Sequence, residues 1–154
     1  MPAPKLTRII DAVAARLADI QVANGYYTDM GLRVILDFRA PQSEELPAVS
    51  VFLGERAAES NLGCDARVEM LINVIGYVAK DGGQAYLLGD EILADIQRAM
   101  ETEDETLGGL LRFQYGMAYA ADEIFMPEVG ADAVGARVSY TAPHVRKYGD
   151  PEIS

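Results

Sequence analysis

The sequence has very little of the side-chain chemistry that metal binding and nucleophilic catalysis need. Its 154 residues include one cysteine, Cys64, one histidine, His144, and no tryptophan. A single cysteine excludes an intrachain disulfide, and one cysteine with one histidine cannot ligate a structural zinc ion. A nucleophile needs a base within hydrogen-bond reach, but we expect His144 in a flexible C-terminal tail and Cys64 in a loop beside Asp65, whose charge disfavours a thiolate. We therefore predict no catalytic residue, no metal site and no cofactor, and both residues are interpreted as incidental and exposed.

Positive charge is scarce in one part of the chain. The net charge is −11, and most of it falls in residues 81–132, where Arg98 and Arg112 stand against 12 acidic residues. Such a surface repels phosphate backbones, which argues against sequence-reading or tight nucleic-acid binding. Two interpretations stay open: the charge serves solubility, or it forms an acidic surface past which DNA slides without sticking.

Long apolar runs are also missing. No stretch approaches the roughly 18 apolar residues of a membrane span, and the first residues lead into an amphipathic segment instead of the apolar core of a signal peptide. We expect the protein to be made and kept in a reducing cytoplasm.

The acidic and glycine-rich segments do not match known ligand loops. The run of Glu101, Glu103, Asp104 and Glu105 lacks the alternating spacing, central glycine and closing glutamate of a calcium loop. Gly82-Gly83 and Gly108-Gly109 lack the pattern of a phosphate-binding loop. A carboxylate-dependent enzyme would need acids such as Asp90 or Asp95 in a pocket, and the sequence indicates no such pocket.

Hydrophobic periodicity predicts two helices and about five strands. Apolar residues recur at helical spacing in two segments, at about 5–22 and 84–101. Alternating patterns predict strands at 32–39, 48–53, 67–79, 111–115 and 134–140. Residues 54–65 show no periodicity and predict a mobile loop, and 143–154 predict a tail that pairs with nothing local. Because the strands come in runs, we expect an α+β fold with a single antiparallel or mixed sheet and both helices on one face, within one domain at 1–142 followed by the tail at 143–154.

Tyrosine is the one enriched residue type that favours protein contacts, because it buries a large area and keeps a polar tip. Of the eight tyrosines, four lie in predicted connectors, where we expect contact with another subunit as readily as local packing: Tyr26, Tyr27, Tyr119 and Tyr148. Two predicted strands also carry charges of both signs on the side opposite their apolar face, which is typical of either a subunit interface or a solvated sheet. The resulting candidates for a subunit interface are Tyr26, Tyr27, Arg33, Asp37, Arg39, Glu69 and Asn73.

The serial order of these segments resembles the bacteriophage tail terminator family, also called tail-completion or minor tail proteins. The resemblance spans residues 5–151 and rests on Asn-Gly-Tyr-Tyr-Thr-Asp-Met-Gly at 24–31, Glu-Leu-Pro-Ala-Val-Ser-Val-Phe at 45–52, Ile-Gly-Tyr-Val-Ala at 75–79, the helix at 92–100, Val-Ser-Tyr-Thr at 138–141 and Gly-Asp-Pro at 149–151.

The resemblance implies a structural virion protein without catalytic residues, located at the head-proximal end of the tail after assembly in the host cytoplasm. It implies a ring, hexameric in the family, that caps the tail tube, ends its growth and offers a docking surface to the head and its connector. Subunits would pack through their sheets, loops such as 55–65 and 101–109 would become ordered on assembly, and DNA would pass non-specifically through the central hole. Candidates for an acidic lumen are Glu101, Glu103, Asp104 and Glu105, and candidates for partner contact in the C-terminal tail are His144, Arg146, Lys147 and Tyr148.

Three other functions stay open. Another ring-forming protein of the head–tail neck would show the same patterns, and binding to connector-capped heads would distinguish it. A small carboxylate-dependent enzyme would lose activity in Asp90→Asn or Asp95→Asn. A monomeric module that binds one protein partner would show no tendency to form rings.

Overall fold

The structure is a computed structural model that describes residues 3–37, 39–62, 65–102, 104, 107–111, 116–126 and 132–147. The helices are α1 (Lys5–Leu17) and α2 (Ala85–Met100), and the strands are β1 (Val34–Ile35), β2 (Ala48–Leu62), β3 (Asp65–Ala79), β4 (Ala118–Phe125), β5 (Ala133–Thr141) and β6 (His144–Lys147). Short 3-10 helices occupy Val22–Asn24, Met30–Leu32 and Ser43–Glu45.

The six strands form one mixed sheet. The order is β1-β2-β3-β5-β4, and β6 pairs with β3 beyond the end of β5. The β1–β2 pair is parallel, while the pairs of β2 with β3, β3 with β5 and β6, and β4 with β5 are antiparallel. The predicted α+β fold is confirmed, with six strands where about five were expected.

Both helices pack on the same face of the sheet, which we call the inner face. Its central positions lie side by side across three strands, Val51 beside Val74 and Val74 beside Val138. They share a core with the apolar stripes of the helices, which consist of Ile9, Val13 and Leu17 on α1 and Ile92, Ile96 and Met100 on α2. Gly76 permits the close approach of α2, because a Cβ atom there would lie 2.5 Å from Ile92 Cγ2.

The first helix is shorter than predicted. It ends at Leu17, although apolar spacing continues to Ile20. The cause is a tertiary contact: the Gly31 N–H donates to the Ile20 carbonyl at 2.8 Å, and a Cβ at Gly31 would lie within 2.7 Å of the carbonyls at the helix end. The connector therefore packs against the end of α1 and diverts the chain.

The predicted strand at 32–39 is mostly wrong. Only Val34 and Ile35 pair with β2, because Leu32 belongs to a 3-10 helix and the chain beyond Ile35 turns back toward Ser43–Glu45. Phe38 lies outside the described residues.

The mobile loop predicted at 54–65 is wrong for residues 54–62, which continue β2 beside β3. Register shifts occur between Leu53 and Arg56 and between Ala58 and Ser60. Each bulge breaks the two-residue alternation that identifies a strand in a sequence, so this long hairpin gave no periodic signal. Cys64 lies outside the described residues.

The last part of the chain differs from the prediction in two places. Residues 112–115 of the predicted strand 111–115 lie outside the described residues, while 118–125, expected to be loop, form the edge strand β4. In the expected C-terminal tail, His144–Lys147 form β6, which extends the line of β5 along β3. The Ala142 N–H donates to the Met70 carbonyl at 2.9 Å and joins the two stretches.

Candidate interaction surface

The face of the sheet opposite the helices, which we call the outer face, is the best candidate for an interaction surface. Strand register places alternate residues on it: Ser50 and Phe52 of β2, Leu71, Asn73, Ile75 and Tyr77 of β3, and Arg137 and Ser139 of β5. Since α1 and α2 both lie on the inner face, neither helix of the described chain covers this one. Phe52 and Ile75 are half-buried, and Leu71 is 38% exposed.

A shallow pocket opens on the outer face. Its cavity volume is about 220 Å³, and its lining consists of Arg39, Ala40, Phe52, Ile75 and Tyr77. Burial raises the pKa of the Tyr77 hydroxyl, and a hydrogen bond with Ser50 partly opposes that shift. The Phe125 ring packs edge-on against Tyr77, with centroids 6.2 Å apart, so an aromatic pair borders the pocket.

One carboxylate organises the rim of this pocket. Arg39 donates to both oxygens of Glu45 at 2.8 and 2.9 Å, and Arg33 lies 3.7 Å from the same carboxylate. These hydrogen bonds from Arg39, together with one from the Gln42 N–H, lower the pKa of Glu45 to about 2. The geometry is the bidentate form that orients a guanidinium, so Arg39 is held in place at the rim.

The other predicted interface residues differ in how exposed they are. Glu69 is exposed on the outer face. Asn73 lies on the same face, but it is buried and its Oδ1 accepts a 2.7 Å hydrogen bond from Ser139, so it stabilises the sheet from within. Asp37 is exposed, and its charge contributes to a raised pKa of Arg39, whose main cause is the hydrogen bond to Glu45.

Tyr26 and Tyr27 lie away from the outer face, in the connector that α2 holds. The buried Asp95 carboxylate accepts hydrogen bonds from the Tyr27 and Thr28 N–H groups and from the Thr28 hydroxyl, at 2.7–3.0 Å. Arg98 donates to the Gly25 carbonyl at 2.7 Å and lies over the Tyr26 ring, 4.7 Å from its centroid. Asp95 thus fastens the connector to α2, which is a structural use for a carboxylate that the enzyme hypothesis would place in a pocket.

Glu101 lies near the β4 edge, where its charge acts on Tyr119, while Asp104 lies beside α1; both make structural contacts. Asp104 lies 3.7 Å from Arg16 of α1, and its carboxylate accepts the Gly108 N–H at 2.8 Å. Glu101 accepts a long hydrogen bond of 3.4 Å from Tyr140, whose pKa is raised mainly by burial. Glu103 and Glu105 lie outside the described residues.

The β4 strand adds further acids to this edge. Tyr119 donates to Asp122 at 2.6 Å, which raises the pKa of that tyrosine, and Glu123 lies 3.3 Å from Arg137. We call the exposed carboxylates Glu101, Asp122 and Glu123 the acidic edge.

The C-terminal candidates are part of the sheet. The expectation of an exposed His144 is wrong, since the residue is 3% exposed at the start of β6. Arg146 and Lys147 are in β6 opposite Ala66 and Asp65, and Tyr148 lies outside the described residues.

Sequence reasoning missed a buried lysine that contacts β6 from α1. Lys5, which is 3% exposed, donates from Nζ to the Val145 carbonyl at 3.1 Å. Burial, and secondly the charge of Arg8, lowers its pKa to about 8. The available signal was weak, because a lysine at the start of an amphipathic helix is ordinarily solvated.

Comparisons with known proteins add no family. No protein-family model matches the chain, and no curated protein sequence matches it significantly. Within the described ranges, no group of three histidine, cysteine, aspartate or glutamate side chains is placed to hold a metal ion. The same residues include no helix that is both long enough and apolar enough to cross a membrane.

Proposed function

We propose that this chain is a structural, non-enzymatic virion subunit, the tail terminator of a long-tailed bacteriophage, which assembles into a ring on the tail tube. The observation that carries the proposal is the outer face, where a pocket and the half-buried Phe52 and Ile75 lie on the side of the sheet away from both helices. The serial resemblance to the tail terminator family supplies the identity of the assembly, and six subunits is the number it implies.

The outer face has the composition of a contact surface. Burying apolar area contributes about 25 cal/mol per Å², and Phe52, Leu71 and Ile75 retain part of that area in the single chain. Around them lie the fixed charges of Arg39 and Glu45. Apolar side chains with a polar rim are the usual anatomy of a protein–protein interface.

The acidic edge supports the passage of DNA through the ring. Glu101, Asp122 and Glu123 are exposed, and they belong to the chain segment in which acidic residues outnumber basic ones most strongly. Carboxylates facing the central channel repel a phosphate backbone and keep the DNA from adhering. In this arrangement DNA is a passing cargo, and the partners are the tail tube protein and a connector protein of the head.

Assembly on the tube follows from multivalency. A weak contact between neighbours leaves the free protein largely unassembled at low concentration, and simultaneous binding of several copies to one tube end raises their effective concentration. Rings would therefore form in the host cytoplasm on finished tubes and remain in the virion.

Light scattering combined with electron microscopy tests the function. The mass in solution is measured across concentrations with and without purified tail tube protein, and tube lengths are imaged. We expect rings, or monomers that become rings at tube ends, together with arrest of tube growth. A protein that stays monomeric at high concentration and leaves tube growth unchanged contradicts the proposal, and binding to connector-capped heads in place of tubes would favour a neck protein.

A further inference from the structure

We infer that Tyr86 and Leu87 of one copy enter the outer-face pocket of the next copy and form the contact that closes the ring. The inference rests on the proposed ring function and identifies the contact within it. It follows from two features of this chain that match each other, an open pocket and a protruding apolar pair.

The protruding pair lies at the start of α2. Tyr86 is 81% exposed and Leu87 is 58% exposed, which are unusual values for large apolar side chains next to each other on a helix. Asp90 follows Tyr86 by four residues, so it lies one helical turn further along the same side, and it is exposed as well. The feature is an aromatic and an aliphatic side chain with a carboxylate beside them.

The pocket has the complementary composition. Phe52, Ile75 and Tyr77 give it apolar walls, and Arg39 is the charged residue among its described lining. Its volume of about 220 Å³ exceeds the roughly 150 Å³ of a cavity that accepts benzene, so a phenol ring fits. Glu45 already holds the Arg39 guanidinium at the rim, and the face of that guanidinium can lie over an entering tyrosine ring. Arg33 lies 3.7 Å from the same Glu45 carboxylate, so a second guanidinium at the rim can attract the Asp90 carboxylate that follows the ring.

The placement of the two features makes the contact between copies head-to-tail. The pocket is on the outer face, whereas α2 packs on the inner face through Ile92 and Gly76. One copy therefore cannot place its own Tyr86 into its own pocket. When two copies join, one protruding pair and one pocket remain unused, so addition continues. A repeated contact of this kind gives a ring when the rotation between neighbours closes, as the proposed function requires, and an open filament when it does not.

Complementation between two variants tests the contact. Tyr86→Ser with Leu87→Ser removes the protruding pair and keeps the pocket, while Ala40→Trp fills the pocket from an exposed loop position and keeps the pair. Leu32→Ser, at a position 67% exposed, is the matched control for removing an exposed apolar side chain. Masses are measured by native mass spectrometry and light scattering, with and without tail tubes, and circular dichroism verifies folding.

We expect each variant alone to need about tenfold or more protein for assembly, because buried aromatic residues dominate interface energies. A one-to-one mixture of the two should form a dimer and stop there, since it contains one intact pair and one intact pocket. The Leu32→Ser protein should assemble like the wild type.

The outcomes distinguish this inference from the proposed function. Rings that persist in both single variants, or a mixture that stays monomeric while the wild type forms rings, would overturn the contact and leave the ring function standing. A wild-type protein that remains monomeric both in solution and on tubes would overturn both.

Discussion

Ile72 and Ile75 lie three positions apart on β3 and face opposite sides of the sheet. Ile72 is fully buried on the inner face beneath the helices, while Ile75 is half-buried and lines the outer-face pocket. The same strand thus supports a face that the chain covers by itself and a face that its helices leave uncovered. The inner face stabilises the fold, and under the proposed function the outer face serves association; separate substitutions on the two faces distinguish these roles.

The largest loss of stability is expected for a substitution on the inner face. Ile72→Ala should lower the free energy of unfolding by about 3 kcal/mol, since it leaves a cavity in a fully buried site. Ile75→Ala should lower it by about 1 kcal/mol, because Ile75 loses less buried area, but it should weaken assembly more than Ile72→Ala does. Urea denaturation gives the first quantity and light scattering the second; equal effects of the two changes on unfolding would remove the distinction between the faces.

The next-largest loss of stability is expected at Asp95, which fastens the connector to α2. Asp95→Ala leaves the partly buried N–H groups of Tyr27 and Thr28 without their acceptor, which should cost about 2 kcal/mol of stability. Amide hydrogen exchange at residues 27 and 28 should accelerate along with the loss. The exposed Asp90→Ala is the control and should change stability by less than about 0.5 kcal/mol; unchanged exchange in Asp95→Ala would contradict the anchoring role.

Lys5 should make the stability of the fold depend on pH in the alkaline range. Its pKa is lowered from 10.5 to about 8 in the folded chain, so between those values the unfolded chain binds more protons and stability rises with pH. The neutral amine can still donate to the Val145 carbonyl. Relative to Lys5→Met, the wild type should therefore gain stability as the pH rises above about 8, as measured by urea denaturation, and a constant difference would show that the ammonium is not desolvated.

Glu45, at the rim of the outer-face pocket, should make the stability of the fold depend on pH in the acidic range, by a smaller amount. Because Arg39 lowers its pKa from 4.5 to about 2, its contribution is fully present above about 4.5 and is lost as the pH falls toward 2. Glu45→Gln should flatten this part of the acid denaturation curve. The effect is small, since the carboxylate sits at the rim among exposed arginines, and an unchanged curve would mean that the pair does not stabilise the folded chain.

The elements that could be predicted from the sequence are those whose apolar periodicity matches the face that they bury. The helix at 85–100 and the strands at 65–79 and 133–141 are regular elements with strong apolar periodicity, and their predictions are confirmed. Bulges hid the strand at 54–62, and a mostly exposed edge position hid β4, where Ala118 and Ala121 stand among acids. β6 could not be foreseen, because its pairing depends on β3, which is distant in sequence.

The candidate surface could be predicted only where it lies on a strand with regular alternation. Glu69 and Asn73 were assigned to the correct face because β3 alternates regularly, but whether Asn73 is exposed depends on Ser139 of another strand. The pocket depends on how the segment after β1 folds back over Phe52 and Ile75, which no local pattern encodes. The pattern at Tyr86 and Leu87 predicts only a helix, because the exposure of the two side chains depends on what packs nearby.

The most direct test of the central claim is the mass in solution of the wild type and of Ile75→Arg, measured side by side by light scattering over a range of concentrations and on tail tubes. We predict rings for the wild type and a folded monomer for Ile75→Arg, because a charge in the outer-face pocket prevents the contact between copies. Rings of equal stability in both proteins would contradict the claim that the outer face joins one subunit to the next.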